Sequence, residues 1–249
     1  MKIWVDGQCF QTASRGRGIG RYVEGLLTAL AQIEDVELMI SFGAFAVDKA
    51  LDAKERFAGI IPSESIHLWS SPVTQGQIST GVDSVRTLAR YALSHHVNCL
   101  KPDIAFSVSP FEGAMDAASP LLPGYGCEVP MVPIFYDAIP HRYLDKYLTT
   151  EESRTYYYER LNAYKDFDFN LGISDFATAE LVDIFPGTKA ESIYAGLSET
   201  FRELLANNKP GRMKKKYGDY LLYVGGNDWR KNVPMIFDAI KLLPRAERR

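Results

Sequence analysis

The apolar positions of the chain fall into two kinds of pattern, short continuous runs and longer stretches with helical spacing. The run from Met131 to Tyr136 is typical of a central parallel strand that is buried on both faces of its sheet. Further strands are predicted at 2–6, 36–42, 66–69, 104–107 and 167–173. Helices are predicted between them, at 20–33, 46–58, 83–100, 149–164 and 175–185. This alternation predicts an α/β fold in which a Rossmann-like parallel sheet is flanked by helices.

The spacing within a helix also predicts the face that it buries. In the helix predicted at 83–100, one side carries Leu88, Tyr91, Ala92, His95 and Cys99. We expect that side to pack against the sheet, because a helix on a sheet buries its apolar stripe. Asp83 and Ser174 are the expected N-caps of their helices.

A polar and basic stretch near residue 210 interrupts this rhythm. Residues 207–217 are rich in Asn, Lys, Pro and Gly, which is typical of a linker. We therefore expect a first domain at 1–206 and, at 218–249, the first strand–helix unit of a second, truncated Rossmann-like domain. In that unit the strand is predicted at 220–224 and the helix at 232–243. The length of 249 residues fits one to two domains of roughly 150 residues each.

The composition excludes several classes of protein. Lys and Arg number 28 against 31 Asp and Glu, and the resulting charge of −3 argues against a protein that coats nucleic acid. The three cysteines form no Cys-x-x-Cys pair, and free thiols fit a reducing compartment. The first apolar run is too short for a signal peptide, and no run reaches the roughly 20 residues of a membrane helix. We expect a cytoplasmic protein, and peripheral association with the inner face of the membrane stays open.

A loop rich in glycine and arginine precedes the first predicted helix. It places Gly18, Gly20 and Arg21 where backbone N–H groups and the helix dipole favour a phosphate. The loop lacks the third glycine of the dinucleotide fingerprint and the Gly-Lys-Ser/Thr of a Walker A loop. A loop whose glycines serve only to turn the backbone is the alternative interpretation.

A second candidate anion site lies in the truncated domain. There the predicted strand ends at Gly225 and Gly226, and Arg230 and Lys231 follow at the start of the next helix. Two cations beside a helix N-terminus suit a diphosphate and would stabilise it as a leaving group. Solvated charges at a domain edge are the alternative.

Five segments of the chain resemble, in the same order, the N-terminal half of GT-B glycosyltransferases of the retaining group known as group 1 or family 4. The segments are Gly18-Ile19-Gly20-Arg21-Tyr22, Phe135-Tyr136-Asp137-Ala138-Ile139-Pro140, Leu171-Gly172-Ile173-Ser174-Asp175, Ile193-Tyr194-Ala195-Gly196-Leu197, and Val224-Gly225-Gly226 with Arg230-Lys231-Asn232. The resemblance implies two Rossmann-like domains across a cleft, with the acceptor on the N-terminal side and the sugar nucleotide mainly on the C-terminal side. It implies no metal or other cofactor.

The resemblance also implies a set of residues that bind the donor. They are Gly18, Gly20, Arg21, Ser174, Gly196, Gly225, Gly226, Arg230 and Lys231. Of these, Arg230 and Lys231 would hold the diphosphate, whereas Ser174 and Gly196 would line the cleft.

Two departures from the family pattern concern catalysis. The family usually has a histidine just before the aspartate that follows the central strand, where this chain has Tyr136. Asp137 and His141 are therefore the candidate catalytic residues. The paired-glutamate motif of the family would lie beyond Arg249, so we expect this chain to be inactive alone.

Two other clusters have open interpretations. Asp166–Asp168 spells a D-x-D metal motif, but it lies at the start of a predicted strand, which does not suit that role. The tyrosines of Tyr156–Tyr158 belong either to a platform for a sugar or lipid-linked acceptor or to the core. Arg15, Arg17 and Arg21 suit an anionic acceptor.

The resemblance implies a hexosyltransferase of polysaccharide biosynthesis. In this interpretation it transfers a sugar, mannose being our choice, from a nucleotide sugar to a glycan or lipid-linked acceptor. The expected partners are these substrates and the missing C-terminal domain, with no nucleic acid. A non-catalytic binding or scaffold module of a larger protein is the alternative, and a nucleotide-sugar epimerase or dehydrogenase is disfavoured by the absent fingerprint.

Overall fold

The computed structural model describes residues 1–71, 76–80, 83–207, 212–218, 220–226 and 228–244. The chain forms two compact units, Met1–Ser198 and Glu199–Arg249. The first unit thus ends at Ser198, whereas the sequence predicts that the first domain ends at residue 206. Residues 208–211 of the predicted linker lie outside the described residues.

The first unit contains a seven-stranded sheet in which every strand pairs with its neighbours in parallel. The strands are β1 (Lys2–Asp6), β2 (Glu37–Gly43), β3 (Ile66–Trp69), β4 (Ile104–Ser107), β5 (Met131–Phe135), β6 (Asn170–Gly172) and β7 (Ala190–Ser192). Their order across the sheet is β3-β2-β1-β4-β5-β6-β7. The predicted Rossmann-like α/β class is confirmed.

Helices form the connections between these strands except the one from β4 to β5, where residues 108–130 contain no helix. They are α1 (Gly18–Leu30), α2 (Val47–Arg56), α3 (Gln77–Thr80), α4 (Asp83–Leu100), α5 (Ile139–Arg142), α6 (Leu144–Tyr147), α7 (Glu151–Ala163) and α8 (Asp175–Ile184). Short 3-10 turns also follow β1, at Gly7–Phe10 and Ala13–Gly16. The helix α7 starts with a capping box, in which Thr150 and Ser153 bond to each other's backbone N–H groups at 3.2 Å.

Apolar side chains pack on both faces of the sheet. One cluster joins Val5 and Ile40 to Leu27 of α1, and a second joins Trp4 and Ala105 to residues of α4. Successive residues such as Trp4 and Val5 point to opposite faces, so one strand contributes to both clusters. This two-sided burial explains why the strands were readable as continuous apolar runs.

The buried face of α4 differs from the predicted one. Leu88, Tyr91, His95 and Cys99 are exposed, and the helix instead buries Arg86, Ala89, Arg90, Leu93 and Val97. Arg90 is tolerated inside because its Nη1 lies 2.5 Å from an oxygen of Glu159 on α7 and also donates to the Tyr125 hydroxyl. The prediction was wrong because the helix carries a second apolar stripe, with Ala89, Leu93 and Val97 spaced four residues apart, and this stripe is the one that is buried.

In the described parts of the second unit, the helices are α9 (Glu199–Asn207), α10 (Arg212–Tyr217) and α11 (Val233–Leu242). The predicted helix at 232–243 is confirmed. The prediction of a strand at 220–224 was wrong, because residues 220–226 pair with no strand among the described residues. Its apolar side chains are exposed, with Leu221 at 75% and Val224 at 83%. Among the described residues of the chain, no helix is long and apolar enough to cross a membrane.

Candidate functional site

The carboxyl ends of the parallel strands share one edge of the sheet. The strand order reverses between β1 and β4, and open α/β sheets bind ligands in the crevice at such a point. A cavity of about 210 Å³ lies at this edge, between the start of α1 and the loops that follow β4 and β5. We call it the switch-point cavity, and its lining is Ile19, Ser109, Pro110, Phe111, Tyr136, Asp137, Pro140 and Tyr157.

The walls of the switch-point cavity are mainly aromatic and apolar. The Phe111 ring stacks on the Tyr157 ring, with centroids 5.2 Å apart and planes inclined by 30°. The Tyr136 hydroxyl donates to the Val108 carbonyl at 2.9 Å, and burial raises the pKa of Tyr136 well above its usual value. Asp137 is the charged residue among those that line the cavity. Aromatic faces beside a carboxylate suit a neutral ligand that is rich in hydroxyl groups.

Asp137, a predicted catalytic residue, lies two residues after Phe135, the end of β5, and is exposed at the cavity. Its Oδ1 accepts a hydrogen bond from the backbone N–H of Ile139 at 2.9 Å, which ties the carboxylate to the first residue of α5. The position of α5 therefore fixes the direction of this carboxylate.

His141, the other predicted catalytic residue, lies near the end of α5 and contacts α7. Its Nδ1 is 3.2 Å from the Tyr158 hydroxyl, and the two rings meet edge to face with centroids 5.9 Å apart. The described lining of the switch-point cavity includes Asp137 but not His141. The structure thus brings one of the two candidates to the cavity.

The predicted phosphate-binding end of α1 also reaches the switch-point cavity, through Ile19. The N-cap residue Arg17 makes no side-chain hydrogen bond to the helix, so it leaves the first backbone N–H groups of α1 without a cap. A Cβ on Gly20 would lie 2.5 Å from the Arg15 carbonyl oxygen, whereas one on Gly18 would meet no atom within 4 Å. Gly20 is therefore required for the approach of the preceding loop, and Gly18 leaves open space at the helix end.

Sequence reasoning missed a buried carboxyl group that holds this loop. Glu112 accepts a hydrogen bond from the Ser109 hydroxyl at 2.7 Å and also interacts with the side chains of Thr12 and Ser14. Burial raises the pKa of Glu112, and these hydrogen bonds oppose the rise. Glu112 thereby connects the loop after β4 to the 3-10 turn that precedes α1. No periodicity in the sequence marks such a residue.

A second, smaller cavity brings together two predicted donor-binding residues, Arg21 and Gly196. It has a volume of about 190 Å³ and lies between α1 and the chain that follows β7. The Tyr22 hydroxyl donates to the Tyr194 carbonyl at 2.6 Å, and the Tyr194 hydroxyl donates to Asp175 at 2.7 Å. These bonds hold Tyr194 in the left-handed region, at a φ of 53°.

Ser174 caps α8. Its Oγ accepts a hydrogen bond from the Ala177 N–H at 3.2 Å, as the sequence predicted for an N-cap. This contact gives Ser174 a structural role in the first turn of the helix, next to Asp175.

The cations of the second unit occupy the turn before α11. The Nε and Nη2 atoms of Arg230 lie 3.0 and 3.1 Å from the two oxygens of Asp228, which also accepts the Arg230 N–H. Lys231 is exposed at the end of the same turn. Gly225 and Gly226 precede it, and the Gly226 carbonyl accepts from the Tyr223 hydroxyl at 2.9 Å. The ion pair with Asp228 holds the Arg230 side chain against its own turn.

The D-x-D sequence has a structural explanation. Asp168 accepts the backbone N–H of Met131 at 2.8 Å, so it anchors the start of β5. Within the described parts of the chain, no three or more His, Cys, Asp or Glu side chains are grouped so that they could hold a metal ion.

Comparison with known proteins gives relatives among glycosyltransferases. The chain is 24% identical over 253 aligned positions to the serotype-specific mannosyltransferase WbdA of Escherichia coli, and the match covers 98% of this chain and 30% of that protein. A second WbdA from Escherichia coli is 22% identical over 84% of this chain and 26% of its own length. The chain thus spans less than a third of the curated relatives it matches. No protein-family model matches it.

Among solved structures, one match is titled the glycotransferase of kitacinnamycin. It covers 96% of this chain and 61% of that chain at 10% identity, with a TM-score of 0.39. The similarity to glycosyltransferases therefore rests on the sequence matches, the first of which covers nearly the whole length of the chain.

Proposed function

We propose that this chain provides the acceptor-binding part of a retaining GT-B glycosyltransferase. The enzyme transfers a hexose, mannose in our proposal, from a nucleotide sugar to a glycan or a lipid-linked acceptor. The observation that carries the proposal is the switch-point cavity, which places Asp137 beside aromatic walls at the carboxyl edge of the sheet. The similarity to WbdA supports the choice of mannose.

In this proposal the terminal sugar of the acceptor occupies the switch-point cavity. The ring of Phe111 provides an apolar face for the sugar, and Asp137 accepts a hydrogen bond from the hydroxyl group that attacks the donor. The cavity volume of about 210 Å³ leaves space for one sugar ring rather than for a long chain.

Each unit carries groups that suit a sugar nucleotide. In the first unit these are the uncapped N–H groups at Gly18 and Gly20, with Arg21, Ser174 and Gly196. In the second unit they are Arg230 and Lys231, which follow Gly225 and Gly226. Backbone N–H groups and cations of this kind stabilise the negative charge that develops on a leaving diphosphate. No metal or other cofactor takes part in this proposal.

We further propose that the second unit is the start of a larger, donor-side domain. The exposed apolar side chains of residues 220–224 support this, because they have the composition of a buried strand without the burial. Completion of that domain would cover this segment, and we expect transfer activity only when it is present.

Titration of the chain with methyl α-mannopyranoside, GDP-mannose and UDP-glucose tests the proposal. We expect the mannoside to bind, and the Asp137→Asn variant to bind it about tenfold more weakly. Asp48→Asn, which removes an exposed carboxylate of α2, is the matched control and should bind like the wild type. A wild-type chain that does not bind the mannoside would contradict the proposal, whether or not it binds a nucleotide sugar.

A further inference from the structure

Glu180 is a buried carboxylate on α8, with only 4% of the residue exposed. Its Oε2 accepts the backbone N–H of Ala138 at 2.9 Å, and its Oε1 accepts from the Nε of Arg142. A carboxylate is buried at a large free-energy cost unless it is paired and hydrogen-bonded. The two contacts explain why Glu180 is stable in this position.

The two groups that Glu180 binds stand at opposite ends of α5. Ala138 is the N-cap residue of this helix, and Arg142 is its last residue. A helix of four residues is too short to be stable on its own. One carboxylate thus connects both ends of α5 to α8.

A second contact reinforces this connection. The Arg142 guanidinium lies over the Phe176 ring at 5.2 Å from its centroid. Phe176 and Glu180 are four residues apart on α8 and therefore lie on the same face of that helix. Arg142 is held by both, so α5 is fixed against one face of α8.

We propose that Glu180 is a positioning residue for the sugar acceptor, which acts by fixing α5 so that Asp137 faces the switch-point cavity. The connection is direct, because the Asp137 carboxylate accepts the N–H of Ile139, the first residue of α5. This inference rests on the proposed function, in which Asp137 contacts the acceptor. It adds a residue that makes no contact with the sugar.

The Glu180→Gln variant tests the role, since glutamine keeps the size and one oxygen for the Ala138 N–H but loses the charge that holds Arg142. Glu24→Gln is the matched control, because it breaks the Glu24–Arg56 ion pair of 2.7 Å between α1 and α2. The first readout is the NMR signal of the His141 ring, one of four histidines, assigned with a His141→Gln variant. The second is the dissociation constant of methyl α-mannopyranoside.

We expect Glu180→Gln to shift the His141 signal, because the ring of His141 moves relative to Tyr158 when α5 is released. We also expect the mannoside to bind about tenfold more weakly, because Asp137, which contacts the sugar in the proposed function, is then displaced. Glu24→Gln should change neither quantity. If Glu180→Gln does not fold, Arg142→Gln removes the same ion pair from its more exposed side and gives the same two readouts.

Two results would overturn the inference in distinguishable ways. A folded Glu180→Gln variant with wild-type His141 signals and wild-type affinity would leave Glu180 with a purely structural role, even if the unfolding midpoint fell. Absence of mannoside binding to the wild-type chain would instead remove the proposed function, and the inference with it.

Discussion

Replacement of Gly20 by alanine is predicted to destabilise the fold at the start of α1. The new Cβ would lie 2.5 Å from the Arg15 carbonyl oxygen and 2.7 Å from that of Ser14, both backbone atoms that cannot rotate away. Overpacking of this kind costs about 1–3 kcal/mol. Alanine also gains about 0.5–1 kcal/mol over glycine within a helix. We therefore expect a net loss of about 0–2.5 kcal/mol in the free energy of unfolding, against a gain for alanine at an uncrowded position.

Gly25 provides the matched control in the same helix. A Cβ there meets no atom within 4 Å, so Gly25→Ala should gain the full helix preference of about 0.5–1 kcal/mol. Urea unfolding, followed by circular dichroism and extrapolated to water, measures both variants. If Gly20→Ala proved as stable as Gly25→Ala, the loop before α1 would not be in the tight contact that the structure shows.

Three further predictions concern buried contacts. Tyr164→Phe removes the hydroxyl that donates to the Ile134 carbonyl at 2.8 Å, and urea unfolding should show a loss of about 1–2 kcal/mol; a neutral effect would contradict the bond. Ser174→Ala removes the cap of α8 and should cost about 1 kcal/mol by the same measurement, with an unchanged midpoint as the contrary result. Burial is the main cause that lowers the pKa of His96 from 6.5 to about 4, and the charges of the nearby His67 and His95 are smaller causes of the same shift. The folded state favours the neutral form of His96. Its contribution to the free energy of unfolding is therefore fully present above pH 6.5 and falls as the pH drops toward 4, because the unfolded chain takes up the proton first. Partial solvent exposure limits this loss of stability to about 1 kcal/mol. The loss should be absent from the His96→Asn variant when unfolding curves at about pH 7 and about pH 4.5 are compared.

The strands were predictable where burial on both faces gives a continuous apolar run. β5 is such a strand, and its predicted position agrees with the observed Met131–Phe135. β7 escaped prediction because Ala190–Ser192 contains one apolar residue and lies at the edge of the sheet. The segment 220–224 shows the reverse, an apolar run that the described structure leaves without a strand partner. An apolar run thus reports a tendency to be buried, and the rest of the molecule decides whether burial occurs.

The candidate site was predictable only where the residues follow a strand or start a helix. Gly20 was identified because it lies at the predicted start of a helix, and Asp137 through the family resemblance of the segment that follows the central strand; both lie at or near the switch-point cavity. Glu112 and Glu180 were missed because each acts through contacts with distant loops or helices. The sequence separation between Glu180 and Ala138 leaves no local signal for a pattern to detect.

Tyr136 stands at the position where the resemblance to GT-B glycosyltransferases would place a histidine. Its hydroxyl donates to the Val108 carbonyl, and its ring meets that of Tyr22 edge to face at 5.9 Å. The polar atom of this side chain is therefore used to connect β5 with the end of β4, and the ring packs against α1. His141 is likewise paired with Tyr158. Of the two candidate catalytic residues, Asp137 is the one that lines the cavity, so the proposed chemistry depends most directly on Asp137.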